Sequence, residues 1–360
     1  MTTDGTGTPA AVESVAIGDR RVGPGEPAYA IAELSANHHG ALEVALEVVD
    51  AAARAGADAV KLQTYTADTM TIDCDRPEFL VGEDTLWGGR RLYDLYQEAF
   101  TPWEWFDPLA AAAADHGLHL FSSPFDATAV DFLEERELPA YKIASFELVD
   151  LPLIERVGAT GRPLIMSTGM ATADEIDEAV TTARRAGARD IVLLRCNSGY
   201  PAPVGEMDLA TIPDMAARWG LPVGLSDHTL GSTAAVAAVA LGASVVEKHL
   251  TLDRAAGGPD AAFSLEPDEF SAMVTAVREA EAAIGTVRYG PAERETASLA
   301  FRRSLFVVAD VAAGEPLTEA SVRSIRPGHG LPPKHLDAVL GRTAAVAIER
   351  GTPLTWDLLT

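Results

Sequence analysis

Lysine is nearly missing from this chain: four among 360 residues, Lys61, Lys142, Lys248 and Lys334, in a protein of formal net charge -25. With so few cations and no basic stripe, a sequence-independent grip on nucleic acid is excluded, and attraction to an acidic membrane surface fails for the same reason. Cysteine is scarcer still. Cys74 and Cys196 match no metal-ligand or redox spacing, so both read as reduced packing thiols of a cytoplasmic protein. Long apolar runs are lacking too; the best, Ala234 to Val246, is alanine-rich, broken by Gly242 and shorter than the ~20 residues a membrane span needs. The start, Met1 to Val12, has no basic segment and carries Asp4, so it reads as a loose tail rather than a signal peptide.

What is present is a regular alternation. Short apolar or β-branched runs at Tyr29 to Leu34, Asp58 to Gln63, Leu118 to Ser122, Ala140 to Ser145, Pro163 to Thr168, Asp190 to Cys196, Pro222 to Ser226 and Ser244 to His249 read as strands. Each is followed by a helical pattern. The first, Ala41 to Ala55, places Leu42, Ala45, Leu46, Val49, Ala52 and Ala53 on one face and stops at Gly56. Thr172 and Asp174 cap a later one that Gly187 ends, and the last runs from Pro267 to Ile284. Such repeated strand–helix pairs over roughly 260 residues predict an α/β fold, a (β/α)8 TIM barrel. An open doubly wound sheet is disfavoured because no glycine-rich dinucleotide fingerprint follows the first strand.

The predicted organisation is a tail with a short hairpin at Val15 to Val22 over residues 1–27, the barrel over 28–285, a linker over 286–299, and a small β-rich module over 300–360. The hairpin, with Gly18-Asp19 at its centre, would plug the bottom of the barrel. A long excursion, Thr64 to Thr101, carries Trp87, Tyr93 and Tyr96 and would cover the mouth. In the small module, Gly314-Glu315-Pro316-Leu317-Thr318 echoes Gly351-Thr352-Pro353-Leu354-Thr355, which predicts two related halves.

Chemistry in a barrel of this type belongs at the carboxyl ends of the strands, and polar residues crowd there. They include Glu33, Ser35, Lys61, Gln63, Ser122, Ser123, Lys142, Ser145, Glu147, Ser167, Ser198, Tyr200, Ser226, Asp227, His228, Glu247, Lys248 and His249. Lys61, Lys142 and Lys248 fall within predicted strands, where an ammonium is costly without an anion, so an anionic ligand is expected at the mouth. The serines would donate hydrogen bonds to its phosphate or carboxylate oxygens. His228 and His249 end adjacent strands and would share a divalent cation, with Glu33 or Asp260 nearby.

The motifs Ile31-Ala32-Glu33-Leu34-Ser35-Ala36-Asn37-His38, Val60-Lys61-Leu62-Gln63-Thr64-Tyr65, Tyr141-Lys142-Ile143-Ala144-Ser145-Phe146-Glu147, Ser167-Thr168-Gly169-Met170, Gly224-Leu225-Ser226-Asp227-His228-Thr229 and Glu247-Lys248-His249 together resemble the sialic acid synthase family. The likeness extends through Gly258-Pro259-Asp260 and Phe301-Arg302-Arg303-Ser304 to Arg326-Pro327-Gly328, where the small module is similar to a SAF (antifreeze-like) domain. The resemblance implies a transferase that condenses phosphoenolpyruvate with an N-acylated amino sugar and releases phosphate by C–O cleavage. It implies that Lys61, Ser123, Lys142, Ser145, Ser167, Ser198 and Ser226 hold phosphoenolpyruvate; that His228 and His249 bind Mn²⁺, Mg²⁺ or Co²⁺; that Gln63, Tyr200 and Asp260 face the sugar; and that Glu33 and Glu147 serve catalysis. Arg326 would reach a neighbouring subunit's site in a domain-swapped homodimer.

Within the family, Gln63-Thr64-Tyr65-Thr66, Ala262-Phe263-Ser264-Leu265-Glu266-Pro267 and the Glu33 to His38 segment resemble the pseudaminate branch, whose acceptor is 2,4-diacetamido-2,4,6-trideoxy-L-altrose. Ser198 departs from the asparagine of the neuraminate branch. The alternatives are a neuraminate or legionaminate synthase and a Schiff-base aldolase using Lys142 or Lys248.

Overall fold

A computed structural model describes residues 12–360. Apart from Val12, the predicted tail lies outside the described residues. The chain divides into two compact units, one ending at Gly285 and the other spanning Thr286–Thr360.

The first unit opens with a two-stranded hairpin, β1 (Val15–Ile17) and β2 (Arg20–Val22). Eight parallel strands follow: β3 (Tyr29–Glu33), β4 (Ala59–Thr64), β5 (His119–Pro124), β6 (Tyr141–Ile143), β7 (Leu164–Ser167), β8 (Ile191–Cys196), β9 (Val223–Asp227) and β10 (Val245–His249). They close into a barrel in chain order, with β10 pairing β3. Strand β6 is shorter than its sequence pattern suggests. It ends at Ile143, and Ala144 and Ser145 leave the ladder to form the turn that presents Ser145.

The packing follows from the two-residue period of a strand. Tyr29, Ile31, Phe121, Ile165, Val192, Leu194 and Val245 point inward and pack with Val15, Ile17 and Val22 of the hairpin. The hairpin therefore stoppers the amino-terminal end. It is fastened by His119, whose ring nitrogens meet Asp19 at 2.9 Å and the Tyr29 hydroxyl at 2.7 Å. With that end sealed by apolar side chains, the carboxyl end is left for polar ones.

The helices sheath the barrel because their apolar faces meet the outward side chains of the strands. Helix Leu42–Ala55 stops where Gly56 takes the left-handed conformation, φ 86°, and its N–H returns to the carbonyls of Ala52 and Ala53. Helix Ala173–Ala186 starts from Thr172, whose capping-box partner is Glu175; Asp174 contributes only charge in the first turn. Helix Pro267–Ile284 keeps the predicted bounds. No helix among the described residues is long and apolar enough to cross a membrane.

In the second unit, β11 (Ser304–Val307) pairs antiparallel with β12 (Val322–Ile325). The two echoed segments are structurally alike: each turns at a positive-φ glycine, Gly314 or Gly351, and buries its leucine, Leu317 or Leu354, in one small core. Val311 and Ile348, which precede the two turns, pair with each other.

Candidate active site

A cavity of about 710 Å³ opens at the carboxyl end of the barrel. Its floor consists of inward side chains one layer above the apolar core: Lys61 on β4, Lys142 on β6, Ser167 on β7, Ser226 on β9, and Glu247 and His249 on β10. Lys61 Nζ lies 2.5 Å from Glu33 Oε2 and 3.3 Å from Ser123 Oγ. Lys142 Nζ donates to Ser167 Oγ at 2.6 Å and to the Ile143 carbonyl at 3.0 Å. Glu247 stands between the two ammonium groups, its Oε1 at 3.7 Å from Lys61 and 4.0 Å from Lys142.

The charges tune one another. Burial pulls the Lys61 ammonium down, but Glu247 and Glu33 outweigh it and hold its pKa above the ordinary lysine value. For Lys142 burial wins, aided by repulsion from Lys61, and its pKa falls. Glu33, wholly buried, is pushed up by burial and by Glu247, with Lys61 and Gln63 offsetting only part. Glu247 goes the other way, because the neighbouring lysines outweigh its burial. Two strand lysines with one carboxylate between them form a floor suited to an anion carrying more than one charge.

Two further hydroxyls, Ser145 and Ser198, join Ser167 and Ser226 at this floor. A Cβ at position 169 would collide with the Ser145 and Ser198 hydroxyls, so Gly169 lets the loop after β7 bring them together, and its N–H donates to Ser145 Oγ at 3.2 Å. Ser123 lies behind Lys61 rather than at the surface.

The two imidazoles sit side by side, ring centroids 5.3 Å apart. His228 Nδ1 is 2.9 Å from the Asn197 carbonyl, which can only accept, so Nδ1 carries a proton; burial lowers the pKa of this ring, but Cys196 and the Asn197 carbonyl outweigh it and raise it above the ordinary histidine value. His249 Nδ1 is buried without a partner, and burial together with the nearby cations, His228 first, holds this ring well below the ordinary histidine pKa. Side by side, the two imidazoles offer ring nitrogens that would fit a divalent cation. No cluster of three or more His, Cys, Asp or Glu ligands occurs among the described residues; a cation held by two imidazoles would have positions left for water and a substrate oxygen.

On the outer side, Gln63, Tyr200, Asp260 and Glu147 line the cavity. Gln63 Nε2 donates to Glu33 Oε1 at 2.9 Å and Ser35 Oγ at 3.0 Å. Burial pushes the Glu147 carboxyl up to about 7, and its Oε2 has no partner. The predicted excursion forms the upper wall: Val81, Leu86, Trp87, Leu92, Leu95 and Tyr96 face the cavity. Trp87 leans on Tyr200, centroids 5.5 Å apart, and its Nε1 donates to the Pro259 carbonyl at 2.8 Å. Tyr93 instead points outward to Asp68.

Two expectations are corrected by the register, and one residue gains a role. Lys248 follows Glu247 and therefore faces the opposite side of β10, where it forms a fully buried ion pair with Asp227 at 2.9 Å. It neither greets the anion nor offers an amine to the cavity. Ser122 likewise faces away and meets Thr64 Oγ1 at 2.7 Å. Glu247, named among the strand-end polar residues but given no role, belongs to the floor; its position between two inward residues, Val245 and His249, is the signal. Arg326 lies in the second unit, exposed, directly after β12.

Known proteins match this architecture. Residues 48–289 match the NeuB family and residues 302–360 the SAF domain. A pseudaminic acid synthase of Campylobacter jejuni is 42% identical over 91% of this chain and 95% of its own length. A pseudaminic acid synthase of Helicobacter pylori is 42% identical over 92% of this chain and 98% of its own. The crystal structure of an N-acetylneuraminic acid (sialic acid) synthetase from Leptospira borgpetersenii in complex with citrate superposes with a TM-score of 0.71 at 29% identity, covering 80% of this chain and 95% of that one. With a matching barrel, a matching small domain and relatives this similar along nearly their whole length, the chain belongs to the NeuB family and carries a SAF domain at its carboxyl end.

Proposed function

We propose that the protein condenses phosphoenolpyruvate with 2,4-diacetamido-2,4,6-trideoxy-L-altrose and water, giving pseudaminate and phosphate. The observation that carries this reading is the floor: Lys61 and Lys142, both buried, line one cavity together with the His228 and His249 imidazoles. The relatives at 42% identity named pseudaminic acid synthase support the choice of acceptor.

In this reading, Lys61, Lys142 and the Ser145, Ser167, Ser198 and Ser226 hydroxyls bind phosphate and carboxylate, with Ser123 bracing Lys61. Gln63, Tyr200 and Asp260 hold the open-chain sugar with its aldehyde against the methylene carbon of phosphoenolpyruvate. His228 and His249 would hold a divalent ion, Mn²⁺, Mg²⁺ or Co²⁺, which polarises the aldehyde when bound. Carbon–carbon bond formation leaves positive charge at C2, which water captures. Glu147, with a pKa near neutrality, takes the proton from that water, and the tetrahedral adduct expels phosphate. Glu33, shielded from solvent and raised by burial, keeps Lys61 charged and aimed.

We further infer a domain-swapped homodimer in which Arg326 completes the partner's site. Exposed Phe146, Val149, Met170 and Leu230 on the loops after β6, β7 and β9 support an apolar cover over the mouth. A neuraminate or legionaminate acceptor is the competing substrate. A phosphate-release assay with phosphoenolpyruvate and a panel of the three precursor sugars, with mass spectrometry of the products, tests the reading. Release confined to the altrose precursor supports it, and release confined to another sugar overturns the choice of acceptor.

A further inference from the structure

Ser35 occupies the turn after β3 with φ 47°, a left-handed conformation that a serine adopts only at a cost glycine would avoid. The residue is 3% exposed and lines the cavity. Its hydroxyl donates to Asp260 Oδ2 and accepts from Gln63 Nε2 at 3.0 Å. The neighbouring Ala36 N–H adds a second donor to the same Asp260 oxygen at 3.4 Å. Asn37, two residues on, donates to Ser264 Oγ at 2.9 Å, which in turn donates to the Asp260 carbonyl at 2.7 Å. One turn thus fixes both the backbone and the carboxylate of Asp260.

Donor counting gives this arrangement a chemical meaning. The single Ser35 proton goes to Asp260, so Gln63 must be the donor in its bond to Ser35. The Gln63 amide spends its N–H groups on Ser35 and Glu33, and its Oε1 is left as an acceptor. Asp260 keeps Oδ1 as a second acceptor. Neither oxygen has a protein hydrogen-bond partner among the described residues. The Gln63 and Asp260 oxygens left over therefore present acceptors to whatever enters beside them.

We propose that Ser35 is a positioning residue that sets Gln63 and Asp260 as a paired acceptor face for hydroxyl or amide N–H groups of the acceptor sugar. This rests on the proposed condensation of an amino sugar, though not on which sugar is used. The conformational cost of serine here is met by a ligand-directed function, where glycine would satisfy the turn alone.

The test uses S35G and S35A in the full-length protein, with whichever precursor sugar the wild type condenses. Steady-state kinetics and thermal unfolding are measured for each. S35G relieves the backbone and S35A does not, yet both remove the hydroxyl. The expected result is a rise of roughly tenfold or more in KM for the sugar in both variants, from the loss of a hydrogen bond to a charged group. KM for phosphoenolpyruvate stays within about twofold, by the same magnitude of an unaltered contact, and S35G melts no lower than wild type. An unchanged sugar KM in S35G, or equal rises for both substrates, overturns the proposal while leaving the condensation intact. A wild type that condenses no sugar in the panel overturns the condensation itself, and this inference with it.

Discussion

The Glu247 carboxylate stands between Lys61 and Lys142, 3.7 Å from one ammonium and 4.0 Å from the other. The two lysines are nonetheless held differently. Lys61 has Glu33 at 2.5 Å as a second carboxylate, whereas Lys142 otherwise meets only a hydroxyl and a carbonyl.

That asymmetry separates stability from binding. Lys61→Met would strand a buried Glu33 and is expected to cost about 3–5 kcal/mol. The raised Lys61 pKa signifies stability present at low pH and lost as pH rises through that folded value. Lys142 is lowered, so its charge works against folding, and Lys142→Met should leave the melting temperature unchanged or higher. Phosphoenolpyruvate KM should rise roughly tenfold to a hundredfold in Lys142→Met. Unfolding curves and steady-state kinetics check both; equal destabilisation by the two variants would contradict the assignment.

Glu147 sets a pH dependence. Its carboxyl is raised to about 7 by burial, so the carboxylate that accepts a proton from water forms as pH passes neutrality. Activity is expected to climb through that value and level off above it, and Glu147→Gln should be slow without the ascending limb. The sign for folding is opposite: the raised pKa means stability fully present below the unfolded carboxyl value and lost as pH rises through about 7. Glu147→Gln should therefore be the more stable protein in mild alkali.

The imidazole pair predicts linkage to a divalent ion. Mn²⁺ should raise the unfolding temperature of the wild type, because a ligand that binds only the folded state stabilises it. His249→Ala should abolish that shift. EDTA should stop phosphate release and Mn²⁺ restore it, while borohydride with pyruvate should leave the protein unlabelled. Covalent labelling at Lys142 would instead favour the aldolase alternative.

Much of this was legible in the sequence. The eight strands are short apolar or β-branched runs alternating with helical patterns, and the hairpin announces itself through Gly18-Asp19. What the composition could not supply was phase. Lys248 and Glu247 are neighbours in a polar string, yet the pleat sends one to the floor and the other outward to Asp227. Ser122 and Ser123 divide in the same way. The excursion's role as a wall was expected from its length and aromatics, but which of them would turn inward depended on tertiary contacts: Trp87 finds Pro259 and Tyr200, and Tyr93 finds Asp68.

Trp87 offers a check on that wall. Trp87→Ala removes both the contact with Tyr200 and the bond to Pro259, so the sugar side of the cavity should loosen while the floor is untouched. Sugar KM is expected to rise about fivefold to tenfold. A matching rise in phosphoenolpyruvate KM would mean that the wall supports the whole cavity.

The most direct measurement follows the bridging oxygen of phosphoenolpyruvate. With ¹⁸O at that position, the protein, a divalent ion and the altrose precursor should yield labelled phosphate and an unlabelled sugar acid, because C2 loses that oxygen and takes a new one from water. Label retained in the sugar acid, with unlabelled phosphate, would contradict the account.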